Sequence, residues 1–290
     1  MDIGWDDLRT VLALVRHGSL AAAAKHLDVS YTTVSRRITR AEAGLNLTLF
    51  ERLADGYRPT ETAVLVAEHA ARMDAAEHDL LRKLRGRDST LTGPFVLTAP
   101  QLLIANFLAP VLDRFCAAHR QVELRVRATN DLLDLNRREA DLAIRISHSP
   151  GDTLMGLRLT QQHNASFANP EWADQITANP SGPVDWLIYD QYPDVPKAAM
   201  QAHLGSRVRM RFDDMVAMLG AAQAGLGVVR TPMFLGRTTP GLVQVPVLPP
   251  HPYADIWVVG HPDVWPSAKS VAFRDVLVDY IKAQRALFVA

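Results

Sequence analysis

Apolar residues recur at steps of three and four through the N-terminal stretch, and three helices follow from the pattern. Leu8, Val11, Leu12 and Val15 mark one helix from Trp5 to His17, Leu20, Ala23, Ala24 and Leu27 a second, and Val34 and Ile38 a third. Ser19 and Ser30 stand where N-caps of the second and third helices belong, and Val29 falls in the short turn between them. Two short helices around one tight turn, preceded by a helix they can pack on, predict a helix-turn-helix. The residues left outside are Tyr31, Thr32, Thr33, Ser35, Arg36, Arg37 and Arg40. Hydroxyls and guanidiniums in a row suit base edges and phosphates in a major groove. Beyond this helix, Leu47, Leu49 and Phe50 are followed by Glu51 and Arg52, then by Ala54 to Arg58, which predicts a hairpin wing.

From residue 60 the spacing lengthens into one long helix. Ala63, Val66, Ala70, Met73, Leu80 and Leu84 form a heptad-like seam, with Glu68, Arg72, Asp79, Arg82 and Lys83 outside it. Such a seam suits a partner helix, although an amphipathic helix packed on its own domain has a similar pattern. At ~1.5 Å per residue the rod is about 39 Å long, enough to hold two heads apart along a duplex. Gly86 to Gly93 is polar with a glycine at each end and reads as a hinge. Strands then alternate with helices. Phe95–Ala99, Val122–Val126 and Asp141–Ile144 are strands, separated by helices over Pro100–Ala118 and Asp131–Arg138. A second series has strands at Ala165–Ala168, Trp186–Tyr189, Val208–Phe212 and Gly227–Val229, with helices opened by Asn169–Pro170 and Asp213. Ile256–Gly260 and a helix over Ser267–Ala286 complete the first lobe. The expectation is two α/β lobes built on parallel sheets, with a cleft where strand ends and helix N-termini converge.

The N-terminal half resembles the LysR-type transcriptional regulators: Ser19, Ala23–Ala24, Leu27, Ser30, Val34-Ser35-Arg36 and Leu49-Phe50-Glu51-Arg52 keep that family's order and spacing. Three positions depart: Ala41 replaces a Leu before Glu42, while Asn46 and Ala63 replace glycines. Asn accepts a left-handed backbone and Ala favours helix, so neither glycine change threatens the fold. The second half is similar more loosely, through GPFVLTAP at Gly93–Pro100, DLAIR at Asp141–Arg145 and AGLGV at Ala224–Val228, with Arg120 where a Pro is often found. The resemblance implies an α/β multidomain fold. A winged helix-turn-helix would occupy 1–59, a dimerisation helix 60–86 and a hinge 87–93. Lobe I of a periplasmic-binding-protein-like effector domain would take 94–161 and 261–290, and lobe II 162–260. It also implies double-stranded operator DNA held by Ser19, Ser30, Tyr31, Thr32, Thr33, Ser35, Arg36, Arg40, Arg52 and Arg58. A small-molecule effector would meet Thr98, Pro100, Gln101, Thr129, Asn130, Arg145, Phe212 and Thr231. Self-association as dimer or tetramer and contact with RNA polymerase belong to the same expectation.

Several effector positions also make physical sense. Pro100 suits the first position of a helix whose free amides meet an anion, and Arg145 can hold a carboxylate as a fork or, alternatively, make a hinge salt bridge. Thr98 and Thr129 are strand-end hydroxyls that local partners can equally satisfy. An organic anion is the expected effector class.

Composition adds little against this. The chain has 290 residues with 31 basic and 31 acidic side chains. Between Ser30 and Arg58, however, five basic residues face three acidic ones, and phosphates respond to charge on one face rather than to the total. The single Cys116, beside Phe115, predicts a buried inert thiol and excludes a disulfide within the chain. No HExxH, G-x-S-x-G, P-loop or G-x-G-x-x-G is present, so no enzyme, metal or cofactor is expected. The start MDIGWDD lacks signal-peptide character and no apolar run is expected to reach membrane-spanning length, which implies a cytoplasmic, nucleoid-associated protein. Two other readings remain at this point. A small-molecule-binding or enzymatic α/β protein with an accessory helical head would need convergent catalytic groups in its cleft. A DNA-organising protein would not respond to any ligand.

Overall fold

The computed structural model describes residues 3–53, 56–86, 89–129, 140–190, 194–195 and 197–290. It comprises two compact units, Met1–Arg82 and Lys83–Ala290.

The first unit contains α1 (Trp5–His17), α2 (Leu20–Leu27), α3 (Tyr31–Leu45), strands β1 (Phe50–Leu53) and β2 (Gly56–Pro59), and most of α4 (Glu61–Gly86). The local signals act as the sequence predicts. The Ser19 hydroxyl accepts from the Ala22 N–H at 3.2 Å and the Ser30 hydroxyl from the Thr33 N–H at 3.1 Å, each satisfying a free amide at a helix start. α3 ends at Asn46, left-handed at φ 54°. β1 and β2 pair antiparallel with Glu51 opposite Arg58, forming the wing. Val11, Ala23, Val34, Ala41, Leu49 and Ala63 are fully buried in one core.

The expected seam of α4 divides in two. Ala63 and Val66 belong to the helix-turn-helix core, and Ala67 and Ala70 pack with Leu12 of α1. Glu77 on the same side accepts from the Trp5 indole N–H at 2.9 Å. Leu65, Met73, Leu80 and Leu84 are all exposed. At about 100° per residue Val66 and Leu84 point the same way and Met73 lies ~20° from them, so the seam is one stripe that the helix-turn-helix covers at its start and that is bare from Met73 on.

In the second unit nine described strands form one mixed sheet, ordered β4-β3-β5-β11-β6-β9-β7-β8 with β10 (Val243–Gln244) beside β6. β3 (Gly93–Ala99), β4 (Val122–Ala128) and β5 (Leu142–Ser147) run parallel, as do β7 (Asp185–Tyr189), β8 (Arg207–Phe212) and β9 (Val228–Pro232). The sheet is not wholly parallel because β6 (Met155–Ala168) and β11 (His251–Gly260) are long antiparallel strands joining the two groups. β6 pairs with β9 in the second lobe, while Asp255–Gly260 of β11 pair with β5 in the first. Ile256–Gly260 thus joins the first lobe, as its place in the sequence pattern suggests, so the strand is shared between the lobes and the 162–260 range does not hold all of it. The predicted helix at 131–138 lies outside the described residues, as do Arg87 and Asp88 of the expected hinge.

α5 (Gln101–Leu103), a π-helical turn Ile104–Leu108 and α6 (Ala109–Ala118) cover the first lobe with α11 (Ala268–Ala283). Phe95, Phe115 and Phe273 stack there with ring centroids 5.3–5.8 Å apart. Two expectations fail in this region. The 18 residues Gln101–Ala118, at mean hydropathy 1.3, are long and apolar enough to cross a membrane by length and composition. In the fold they form a core helix that buries Leu103, Phe107, Val111 and Phe115 and leaves Asp113 and Arg114 exposed. Cys116 is exposed, one residue past the inward Phe115 and about 100° around the helix.

The second lobe is completed by α7 (Pro170–Ala178), α8 (Lys197–Ala202), α9 (Met215–Gln223), α10 (Met233–Thr238) and β10 (Val243–Gln244). Its sheet is buried on both faces: Phe167, Leu187 and Val229 face α9, and Trp186, Ile188 and Val228 pack with Val245 and Val247.

Candidate functional site

The first half of α3 is built to be read from outside. Its N-cap places Ser30 within 2.9 Å of the Thr32 hydroxyl and 2.8 Å of the Thr33 hydroxyl. Tyr31 is 56% exposed, and Thr32 and Arg36 are exposed beside it. Ser35 is half-buried on the same turn. The wing carries Arg52 and Arg58, both exposed, with Arg58 only 3.9 Å from Glu51. Hydroxyls at a helix start flanked by guanidiniums on a helix and a hairpin offer base-edge donors and phosphate contacts on two adjoining elements.

Two residues in the expected row do other work. Arg40 donates through Nε and Nη2 to both carboxylate oxygens of Asp7, which is only 2% exposed. That hydrogen bond, followed by the charge of Asp7, raises the Arg40 pKa further. Arg37 donates to Asp6 at 2.8 Å. Both arginines thus tie α3 to the first turn of α1. Ser19 serves as the cap of α2. Sequence reading missed Asp6, Asp7 and Glu42, whose carboxylate accepts from the Leu49 and Phe50 N–H groups and fastens the wing to α3. The only available signal was the acidic pair in the first turn of α1, where carboxylates complement the helix dipole without announcing a distant arginine.

In the second unit the strand ends converge as the sequence suggests. Thr98 lies next to the end of β3 and Pro100 and Gln101 follow it, and the Thr129 N–H donates to Ala99 O at 3.1 Å, which brings the ends of β3 and β4 together. Thr98 is 4% exposed and donates to Arg127 O at 3.2 Å, so its hydroxyl is locally satisfied. Pro100 is the N-cap rather than the first helical residue, and α5 behind it spans only three residues before the π-helical turn. Arg145 lies half-buried on β5, two residues beyond Ala143, the partner of Thr98. Phe212 ends β8, and Thr231, fully buried on β9, approaches Met215 Sδ at 4.0 Å. These two lie in the second lobe; Asn130 lies outside the described residues. Asp141 of the DLAIR segment is structural, accepting from the Val96 N–H at 2.7 Å while 5% exposed.

Comparison with known proteins is consistent across both units. Residues 5–64 match the family described as bacterial regulatory helix-turn-helix protein, lysR family, and residues 88–282 match LysR substrate binding domain. The chain is 29% identical over 268 residues to the Mau operon transcriptional activator of Paracoccus denitrificans, covering 90% of each protein. It is 26% identical over 286 residues to the transcriptional activator AmpR of Pseudomonas aeruginosa, covering 94% of each. Its fold is similar to that of the full-length Vibrio cholerae virulence activator AphB, with a TM-score of 0.61 at 20% identity over 96% of this chain and 99% of that one.

Proposed function

The chain belongs to the LysR family of bacterial helix-turn-helix transcriptional regulators, and from that premise we propose how its parts divide the work. Residues 1–59 read an operator, with Tyr31, Thr32 and Ser35 addressing bases and Arg36, Arg52 and Arg58 addressing phosphates. The observation that carries this reading is the capped, outward start of α3, where Tyr31 and Arg36 are exposed while Val34 and Ile38 are buried. Residues 60–86 pair with a second copy through the outward stripe Leu65, Met73, Leu80 and Leu84, so that paired heads meet paired half-sites.

Residues 94–290 sense a small organic anion in a cleft lined by Thr98, Gln101, Thr129 and Arg145 on the first lobe, with Phe212 on the second. The effector acts by binding one relative pose of the lobes more tightly than another, which changes how the paired heads hold the DNA. The protein works in the cytoplasm as a regulator rather than as an enzyme.

The deciding experiment is operator binding by Arg36→Ala over a salt series. Loss of one phosphate contact lowers affinity on every sequence and reduces the salt slope by about one unit. An unchanged isotherm across the series removes α3 from the interface.

A further inference from the structure

Five buried side-chain polar atoms among the described residues have no hydrogen-bond partner: Gln162 Oε1, Asn164 Oδ1, Ser166 Oγ, Trp186 Nε1 and Arg230 Nη1. They are not scattered. Gln162, Asn164 and Ser166 alternate along one face of β6, and Ser166 stands opposite Arg230 in the register with β9. Trp186 on β7 pairs with Val228, two residues from Arg230 on β9. All five therefore belong to one patch of the second lobe's sheet.

A cavity of about 150 Å³ opens on this patch, lined by Asn164, Trp186 and Arg230 together with Ile188, Leu248 and Tyr253. Trp186 is 1% exposed and Asn164 6%, so their orphan atoms have no ready access to bulk water. Native folds rarely bury polar atoms without partners, and a group of them around a void marks a place where something else completes the hydrogen bonds.

The chemistry of the missing partner follows from the donors. Arg230 has no carboxylate partner among the described residues; its Nη2 donates to Pro249 O at 3.0 Å and to His251 Nδ1. Burial, then the charge of Arg230, holds the His251 pKa below its usual value, so that ring accepts as a neutral imidazole and leaves the guanidinium charge unanswered. Asp194 at the rim is bound to Arg211 at 2.6 Å. One cationic guanidinium nitrogen, Nη1, and one indole N–H beside aliphatic walls fit a carboxylate on a compact apolar body, and a void of this size accommodates a body about as large as a benzene ring.

We propose that the second lobe binds a small carboxylic acid in this cavity, with the carboxylate on Arg230 Nη1 and Trp186 Nε1 and the apolar body against Ile188 and Leu248. Asn164 Oδ1 then offers an acceptor to a hydroxyl carried on that body. None of Thr98, Gln101, Thr129 or Arg145 lines the cavity, so this site is separate from the cleft between the lobes and stands or falls independently of it.

The test uses the full chain, benzoate as probe and benzamide as its uncharged counterpart. Benzoate moves the indole N–H resonance of Trp186, assigned by its disappearance in Trp186→Phe, in a saturable titration. Benzamide binds at least roughly tenfold more weakly, Trp186→Phe weakens benzoate binding by a similar factor, and Arg230→Gln abolishes it. A Trp186 resonance that does not move at any benzoate concentration overturns the proposal without need of a variant. Equal affinity for benzamide, or loss of binding in Arg145→Ala with full retention in Trp186→Phe, overturns it as well, the latter by placing the acid between the lobes.

Discussion

The two units treat their buried polar groups in opposite ways. In the N-terminal unit Asp7 is 2% exposed and both its oxygens are taken by Arg40, while the half-buried Glu42 carboxylate ties down two backbone amides. In the second lobe Ser166 is fully buried and Trp186 nearly so, and each retains an atom without a partner. A fully satisfied network rigidifies what it joins, and the recognition helix must be held rigidly if its outward side chains are to meet base edges in register. Unsatisfied groups cost stability that a ligand returns on binding. The contrast thus separates a part made to present a fixed surface from a part made to receive something.

The largest expected effect tests the first half of that contrast at α4, whose seam is covered at its start and bare from Met73 on. Met73→Glu combined with Leu80→Glu weakens self-association by at least about 2 kcal/mol, roughly thirtyfold, because two charges then face a partner helix without counterparts. Light scattering over a concentration series measures this, and an oligomer unchanged from the parent refutes the outward stripe as an interface.

Next comes Asp7→Ala, which removes a buried carboxylate and strands part of Arg40. The expected loss is about 1–3 kcal/mol, toward the lower end because the Arg40 side chain is 54% exposed and water can rehydrate it. Hydrogen exchange of the α1 and α3 amides reports the change. Ser166→Ala is the counterpart in the second lobe. Removing a hydroxyl that has no partner leaves stability unchanged or raises it by about 1 kcal/mol. Destabilisation as large as that of Asp7→Ala would erase the contrast.

The smallest effect concerns pH. His251 has a folded-state pKa below the usual 6.5, first through burial and then through Arg230, with His163 adding to the lowering and the Asn164 backbone opposing it. The unfolded chain therefore takes up a proton that the folded state resists. This contribution is fully present above about pH 6.5 and is lost as pH falls toward the folded value. His251→Gln flattens that acid-side slope in thermal unfolding without changing the melting temperature at neutral pH. The ring's partial exposure keeps the effect shallow. A slope identical to the parent's would show that His251 titrates normally.

How much of this was legible depended on the range of the cause. The caps at Ser19 and Ser30 and the left-handed Asn46 are local events within a few residues, and their signals stand next to the helices they bound. The strand ends carrying Thr98 and Thr129 were legible because short apolar runs between helices mark parallel strands. The long strand β6 was readable only at its end, Ala165–Ala168. Before that point Thr160, Gln162 and Asn164 alternate as polar residues yet are buried, so the hydropathy pattern that announces a half-exposed strand here disguises a covered one. Arg230 lacked any signal, since one arginine near the middle of an apolar strand reads as an exposed edge.

Residue order alone settles the pieces: the helix-turn-helix, its caps, the wing, the long helix and the alternation of strands with helices. Each follows from periodicity and from backbone preferences acting over one or two turns. Which partners those pieces meet depends on the assembled fold. Arg40 turned to Asp7, 33 residues away, instead of keeping to the outer row. Ala67 and Ala70 turned to Leu12 while Met73 and Leu80 stayed outside, and polar positions on β6, β7 and β9 met around one void. Contacts between residues distant in sequence are set by packing geometry, and a one-dimensional pattern of apolar and polar letters carries the face a residue occupies far better than the neighbour it finds there.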